Sequence, residues 1–332
     1  MTIANQSMSY RPPGNEGTME ANMSQNCSIN QDFLMVFLPI MYSFIFLTGL
    51  ISNVSALLVF FIIQTKKNSI HVYLINMAIA DLLLIVCLPF RIAYHANHDQ
   101  WVLGNKFCRA IGILFYLNMY VSIVLLGLIS IDRYLKIIKP LQHYKLQDVH
   151  ISCKTCGMIW FVSILIGIIE LWKSRTTNNF NKCFHYREKQ HSEVIINLVI
   201  VFVFWIVFFL LIISYAKIAR RLSNLSREKP ELSNKKVFNN VVMKTFIIPF
   251  IFTICFVPFH ISRFFYIASQ LQQGNCYWKN TANKANEISL LLSAFNSCLD
   301  PIMYFLLSKT VRKTILSLID GKLQKDSRSE TT

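Results

Sequence analysis

Ser130-Ile-Asp-Arg-Tyr-Leu-Lys-Ile-Ile-Lys-Pro-Leu141 closes an apolar run that begins near Ile111, and it sets Asp132 and Arg133 side by side at the end of that run. If the run crosses a bilayer, this acid and base stand at the water boundary, where lipid no longer penalises charge. The same Asp132-Arg133-Tyr134 triplet also suits a pair of solvated charges capping a long soluble helix. The other apolar runs distinguish the two.

Those runs lie near 34–63, 71–95, 111–135, 152–172, 194–217, 240–268 and 286–307. Each reaches the ~20 residues that a helix needs to span hydrocarbon. The chain is 54% hydrophobic and 15% charged, where soluble proteins carry roughly 25% charged residues. Seven crossings put the termini on opposite sides of the membrane. Of 33 Lys and Arg residues, 21 fall in the 64–69, 133–154 and 217–244 segments and the tail after 308. That excess marks the cytoplasmic side. The N-terminal tail is polar, has no cleavable signal peptide, and holds Asn-x-Ser sequons at Asn5, Asn22 and Asn26. Glycosylation there places the N-terminus outside the cell, in agreement with the charge bias.

The expected architecture is therefore an all-α membrane protein, a seven-transmembrane helix bundle in the plasma membrane. Residues 1–32 form an extracellular glycosylated tail and residues 33–307 the bundle. Residues 308–320 read as a short amphipathic eighth helix on the inner leaflet, because apolar Val311, Ile315, Leu316, Leu318 and Ile319 recur at helical spacing with bases between them. Residues 321–332 read as a disordered cytoplasmic tail in which Ser327, Ser329, Thr331 and Thr332 could be phosphorylated.

Several function classes drop out. The net charge of +16 is spread between apolar blocks rather than clustered on one soluble face, which argues against nucleic acid. No nucleophile–base pair or metal-ligand spacing points to an enzyme. Inverted repeats and paired broken spans, the marks of many transporters, are not apparent. A retinal-based light sensor needs a lysine in the seventh span, where Ala294 stands.

Cys87, Cys255 and Cys298 lie inside spans and Cys153 and Cys156 at the reducing cytoplasmic edge, so all five are expected as free thiols. Cys27, Cys108, Cys183 and Cys276 are extracellular, and their spacing leaves three connectivities open. No cysteine follows Cys298, which excludes a palmitoyl anchor on the tail.

Polar landmarks then appear in order: Asn53, Asn76 and Asp81, Trp101, Cys108, Asp132-Arg133-Tyr134, Trp160, Pro258 and Asn296-Ser-Cys-Leu-Asp300-Pro301-Ile-Met-Tyr304. On this set the chain resembles the rhodopsin-like (class A) G-protein-coupled receptors over nearly all of 33–320. The Asp-Pro-x-x-Tyr form in the seventh span and the Cys27/Cys276 pair resemble the purinoceptor-like branch. Segments 68–91, 114–132, 183–189, 252–271 and 296–304 are similar to its lysophosphatidylserine receptors.

The resemblance implies disulfides Cys108–Cys183 and Cys27–Cys276. It implies an activation and coupling set of Asp132, Arg133, Tyr134, Tyr215, Phe252, Phe256, Pro258, Asp300, Pro301 and Tyr304. It also implies as partners a lysophospholipid, an inhibitory-class heterotrimeric G protein, arrestin and membrane lipids. Three departures stand out: Val207 replaces the usual proline of the fifth span, Phe256 a common tryptophan, and Phe238 an acid at the inner end of the sixth span. Without that acid, Arg133 is expected to rely on Asp132.

Arg91 and Arg263 lie within apolar spans, where an unpaired charge is costly and a ligand role becomes attractive. Guanidinium forks suit phosphate and carboxylate. Arg187 and Lys189 belong to an extracellular loop; Arg187 is expected to join the ligand-binding set, and Lys189 reads as a surface charge. Glu287 could serve as the resting counter-ion of the arginines or meet a ligand ammonium. Tyr116 and Tyr120 share a helix face, and the resemblance adds them to a pocket with Phe184, His260, Tyr266 and Asn286. The expected site is a cationic cavity above an apolar cleft for one acyl chain. An anionic lysophospholipid suits it better than a nucleotide, although nucleotide phosphates need the same arginines. No cofactor is expected beyond a sodium ion among Asp81, Ser122, Asn296 and Asp300, and a water-filled hydrogen-bond network is the alternative there.

Overall fold

All seven apolar runs are helical in the computed structural model of the chain, which describes residues 32–63, 68–139, 142, 144, 147–172, 183–184, 191–228, 235–271, 276–308 and 311–317. Helix α1 spans Asp32–Leu58 and runs on through a π-helical turn, Val59–Ile63. Next come α2 (Ser69–Ala96), α3 (Asn105–Ile138), α4 (Val149–Trp172), α5 (His191–Glu228), α6 (Lys235–Leu271) and α7 (Cys276–Leu307). Each of the seven is long and apolar enough to cross a membrane. A short α8 covers 311–317. The expected sequons at Asn5, Asn22 and Asn26, together with Cys27, Arg187, Lys189 and the phosphorylatable tail, lie outside the described residues. So does the side chain of Phe238.

The bundle is polar inside and apolar outside. Asn53, Asp81, Asn118, Ser122, Asn296, Ser297 and Asp300 are buried, whereas Phe161, Phe202, Phe209 and Ile62 are more than half exposed. Water would reverse this arrangement, because exposed apolar area costs free energy there. Hydrocarbon favours it, because a helix satisfies its own backbone and buried polar side chains pair with one another. Helices α2, α3 and α7 form the interior, and α4 is the most peripheral.

Helix ends differ from the apolar windows in an instructive way. Helix α7 begins at Cys276, ten residues before the apolar run at 286. Helices α5 and α6 extend to Glu228 and from Lys235, deep into the segment between their apolar runs. Hydropathy stops where hydrocarbon stops, but helix-forming residues such as Lys, Arg and Ala carry the helix on into water. The π turn at Val59–Ile63 has no signal in the sequence. It directs Phe60 edge-on against Tyr304, with ring centroids 5.9 Å apart. The described part of α8, 311–317, falls within the 308–320 expected, and residues 309–310 and 318–320 lie outside the described residues. Val311 N–H donates to Ser308 Oγ (3.3 Å) at its start, and Val311 is buried.

Cys108 and Cys183 form a disulfide that ties the start of α3 to the segment holding Phe184. Cys276 is also disulfide-bonded; its expected partner, Cys27, is not among the described residues. The five remaining cysteines are free thiols, as their positions indicated.

Candidate functional site

Four helices and the Cys183–Phe184 segment converge on a cavity of about 220 Å³. Helix α2 supplies Arg91, two residues after Pro89. Helix α3 supplies Gly112 and, one turn on, Phe115 and Tyr116. Helix α6 brings Arg263 and Tyr266, and α7 brings Asn286, Glu287 and Leu290. Spacings of three and four residues place each helix's contributors on one face. Phe184 is fixed beside the disulfide with a left-handed backbone (φ 49°). Its ring meets Tyr94 and Trp101 edge-on at 5.4 and 5.9 Å, contacts that offset that conformation.

The two arginines are held differently. Arg91 is 2% exposed and ion-paired with Glu287, Nη2 to Oε2, at 3.3 Å. Its guanidinium also lies over the rings of Phe115 (4.4 Å), Phe184 (4.5 Å) and Tyr42 (5.3 Å). Arg263 makes no ion pair among the described residues. Its Nη2 donates to Asn197 Oδ1 (2.9 Å) and its Nη1 to Asn286 Oδ1 (3.4 Å), and it lies over Tyr266 and Tyr116. Seven of the ten residues expected in the pocket therefore line one cavity: Arg91, Tyr116, Phe184, Arg263, Tyr266, Asn286 and Glu287.

Tyr120 and His260 are displaced from that set. The His260 ring stacks on Phe204 with centroids 3.5 Å apart, and Tyr120 meets His260 edge-on, in an aromatic layer between α3, α5 and α6. Phe115 and Leu290 add apolar side chains to the cavity lining. Arg187 lies outside the described residues. Sequence reasoning misses Tyr42, Phe115 and Asn197. Tyr42 and Phe115 are two aromatics among many, and Asn197 is a single amide near the start of the fifth apolar run, so the sequence does not single them out.

Midway down the bundle, Asn118 Nδ2 donates to Asp81 Oδ1 (3.3 Å). Tyr304 Oη lies 3.4 Å from Asp81 Oδ2 and 3.3 Å from Asn53 Oδ1. Asn118 is a further partner that the sequence reading misses, although an amide in the middle of an apolar run is itself a signal. Asp300 is buried near Asp81, and Asn296 Nδ2 donates to Asp300 Oδ2 (2.8 Å). Ser122 Oγ, Asn296 Oδ1 and Asp300 Oδ1 are buried with no hydrogen-bond partner among the described residues. Unpartnered hydroxyl, amide and carboxylate oxygens beside a second carboxylate are a donor set that suits a hard monovalent cation.

At the far end from the cavity, Asp132 is 1% exposed. The Asp132 carboxylate, on which Arg133 is expected to rely, has other direct partners. Asp132 Oδ1 accepts from Ser69 Oγ (3.0 Å) and Oδ2 pairs with Lys136 Nζ (2.8 Å), with no ion pair to Arg133 among the described residues. Neighbours in a helix point about 100° apart, whereas residues i and i+4 stack. The Nε of Arg133 is buried without a hydrogen-bond partner among the described residues. Tyr215 Oη donates to Ser130 Oγ (3.3 Å) a turn away, and Tyr134 packs on the core. Phe252 stacks with Phe204 (5.7 Å) and meets Phe256 edge-on (5.5 Å), one turn before Pro258 in α6. Pro301 lies within α7, between Asp300 and Tyr304. A continuous column of packed side chains thus joins cavity, polar centre and inner end.

Residues 52–304 match the model of the 7 transmembrane receptor (rhodopsin family). The chain is 46% identical over 311 residues to "Probable G-protein coupled receptor 34" of Pan troglodytes, covering 92% of this chain and 82% of that protein. It is 35% identical over 317 residues to purinoceptor 14 of Bos taurus, covering 92% of each. Purinoceptor 13 of Homo sapiens is 35% identical over 299 residues, 87% of this chain and 82% of that protein. With seven membrane-length helices, a polar interior and relatives matched along their length, the chain belongs to the rhodopsin family of seven-transmembrane G-protein-coupled receptors, in its purinoceptor-like branch.

Proposed function

We propose that this receptor responds to an anionic lysophospholipid, with lysophosphatidylserine the best fit, and signals through an inhibitory-class G protein. One observation carries the reading: the cavity presents two guanidinium groups and one carboxylate. Phosphoserine carries the complement, two anionic groups and one ammonium. Charged hydrogen bonds of this kind contribute about 1.5–3 kcal/mol each. The small cavity takes the head group, and the acyl chain must leave it.

A nucleotide is the second reading, because Arg91 and Arg263 suit phosphates and two of the relatives are named as purinoceptors. A nucleotide carries no ammonium for Glu287. Cells expressing the receptor should lower cAMP when given oleoyl-lysophosphatidylserine and stay silent to ADP. In Glu287→Gln, lysophosphatidylserine should lose roughly tenfold in potency, whereas lysophosphatidic acid, which lacks the ammonium, should lose nothing. A wild-type response to ADP alone defeats the lipid reading.

The cavity end is taken as extracellular, supported by the N-terminal sequons and the basic excess at the other end. An N-terminal epitope should then be readable on intact cells at the plasma membrane. Asp81, Ser122, Asn296 and Asp300 are proposed to hold a sodium ion when it binds, its charge offsetting that of the buried carboxylates. Agonist affinity should fall when sodium replaces choline in the medium, and Asp81→Asn should remove that dependence; equal sodium sensitivity in the variant counts against the site.

A further inference from the structure

Arg91 and Arg263 have the same chemistry but opposite commitments. Arg91 gives its charge to Glu287 at 3.3 Å. Arg263 is buried, 9% exposed, and its named partners are the amide oxygens of Asn197 on α5 and Asn286 on α7. The Asn197 amide is not free to turn. Its Nδ2 donates to the backbone oxygen of Glu193 one turn earlier (2.5 Å), which leaves Oδ1 pointing at Arg263. An amide oxygen orients a guanidinium through its dipole but leaves the charge uncancelled, whereas a carboxylate of the same shape would cancel it.

We propose that Asn197 is the residue that determines which arginine receives the ligand's anionic group. It positions Arg263 with a neutral acceptor and so keeps that guanidinium available, while Arg91 stays paired with Glu287 until a ligand supplies an ammonium. Asn197 does not line the cavity, so it acts through Arg263. Aspartate has nearly the shape of asparagine, so Asn197→Asp alters charge with little change of volume. Its carboxylate would close an ion pair with Arg263 across α5 and α6. The resulting neutral pair no longer attracts phosphate, and separating the two helices then breaks a buried pair. The inference rests on the anionic-ligand reading and names the residue that sets its selectivity.

The experiment measures potency of oleoyl-lysophosphatidylserine, and in parallel ADP, on wild type, Asn197→Asp, Asn197→Ala and Asn286→Asp, with surface receptor counted by an N-terminal tag. Asn197→Asp should lose roughly tenfold or more in potency, and should lose clearly more than Asn197→Ala, which removes the contact without adding charge. If Asn197→Asp does not reach the surface, Asn286→Asp puts the same charge on the same guanidinium and should lose potency likewise. Unchanged potency in the aspartate variant that reaches the surface overturns the proposal, as does an equal loss in Asn197→Asp and Asn197→Ala, which would make the role structural. Failure of the lipid reading appears separately, as wild type answering ADP and not the lipid. In that event the same comparison, made with ADP, still judges Asn197.

Discussion

Arg263→Ala should raise the half-maximal agonist concentration by about thirtyfold or more, since truncating a buried charged contact costs ~2–5 kcal/mol. Receptor at the cell surface should remain near the wild-type level. The asymmetry follows from what holds the guanidinium. Its partners are neutral amides on α5 and α7 and two tyrosine rings, so its removal strands no charge inside the protein. The loss therefore falls on ligand recognition. Arg91 behaves differently even though it faces the same cavity. Arg91→Ala leaves the Glu287 carboxylate, 7% exposed, without its partner. Breaking a buried pair in this way costs about 3–5 kcal/mol, so surface expression should fall along with potency. The informative variant is Arg91→Leu combined with Glu287→Gln, which removes both charges and returns the receptor to the surface without its agonist response. Wild-type potency in Arg263→Ala, measured as G-protein activation in cells, would remove the cationic cavity as the agonist site.

Arg133→Ala should abolish G-protein activation while agonist affinity changes by less than about threefold, a difference near the error of independent distant sites. Arg133 lies at the end of α3 away from the cavity, with its Nε buried and, among the described residues, neither a hydrogen-bond partner for that atom nor an ion pair to Asp132. A guanidinium so placed is ready for an acceptor that another protein brings when α6 moves, with Pro258 as the weak point of that helix. Ligand and G protein influence each other only through their differing affinities for the two states of the bundle. Asp132→Asn keeps an acceptor for Ser69 but loses the ion pair to Lys136, and should raise signalling without agonist. Radioligand binding beside nucleotide exchange separates the cases: equal loss of both in Arg133→Ala would assign the residue to folding.

Much of this receptor was legible in its residues. Seven crossings follow from hydropathy because lipid accepts few alternatives to a self-satisfied helix. The five free thiols follow from where their runs end. Arg91, Arg263 and Glu287 stood out because a charge inside an apolar run needs a reason to be there, and the cavity collects all three. The Asp132–Lys136 pair was legible too, from i,i+4 spacing, had the adjacent arginine not drawn attention to itself.

Tertiary structure alone decided which charge meets which. Glu287 pairs with Arg91, 196 residues away in sequence, and not with Arg263, only 24 residues away. Helical spacing assigns a side chain to a face, but the depth and rotation of one helix against another set distances to an ångström, and those depend on packing from the whole bundle. For the same reason Asn197 was invisible until α5 and α6 were seen together. It is an ordinary amide on an ordinary helix, and only its placement opposite Arg263 gives it something to hold.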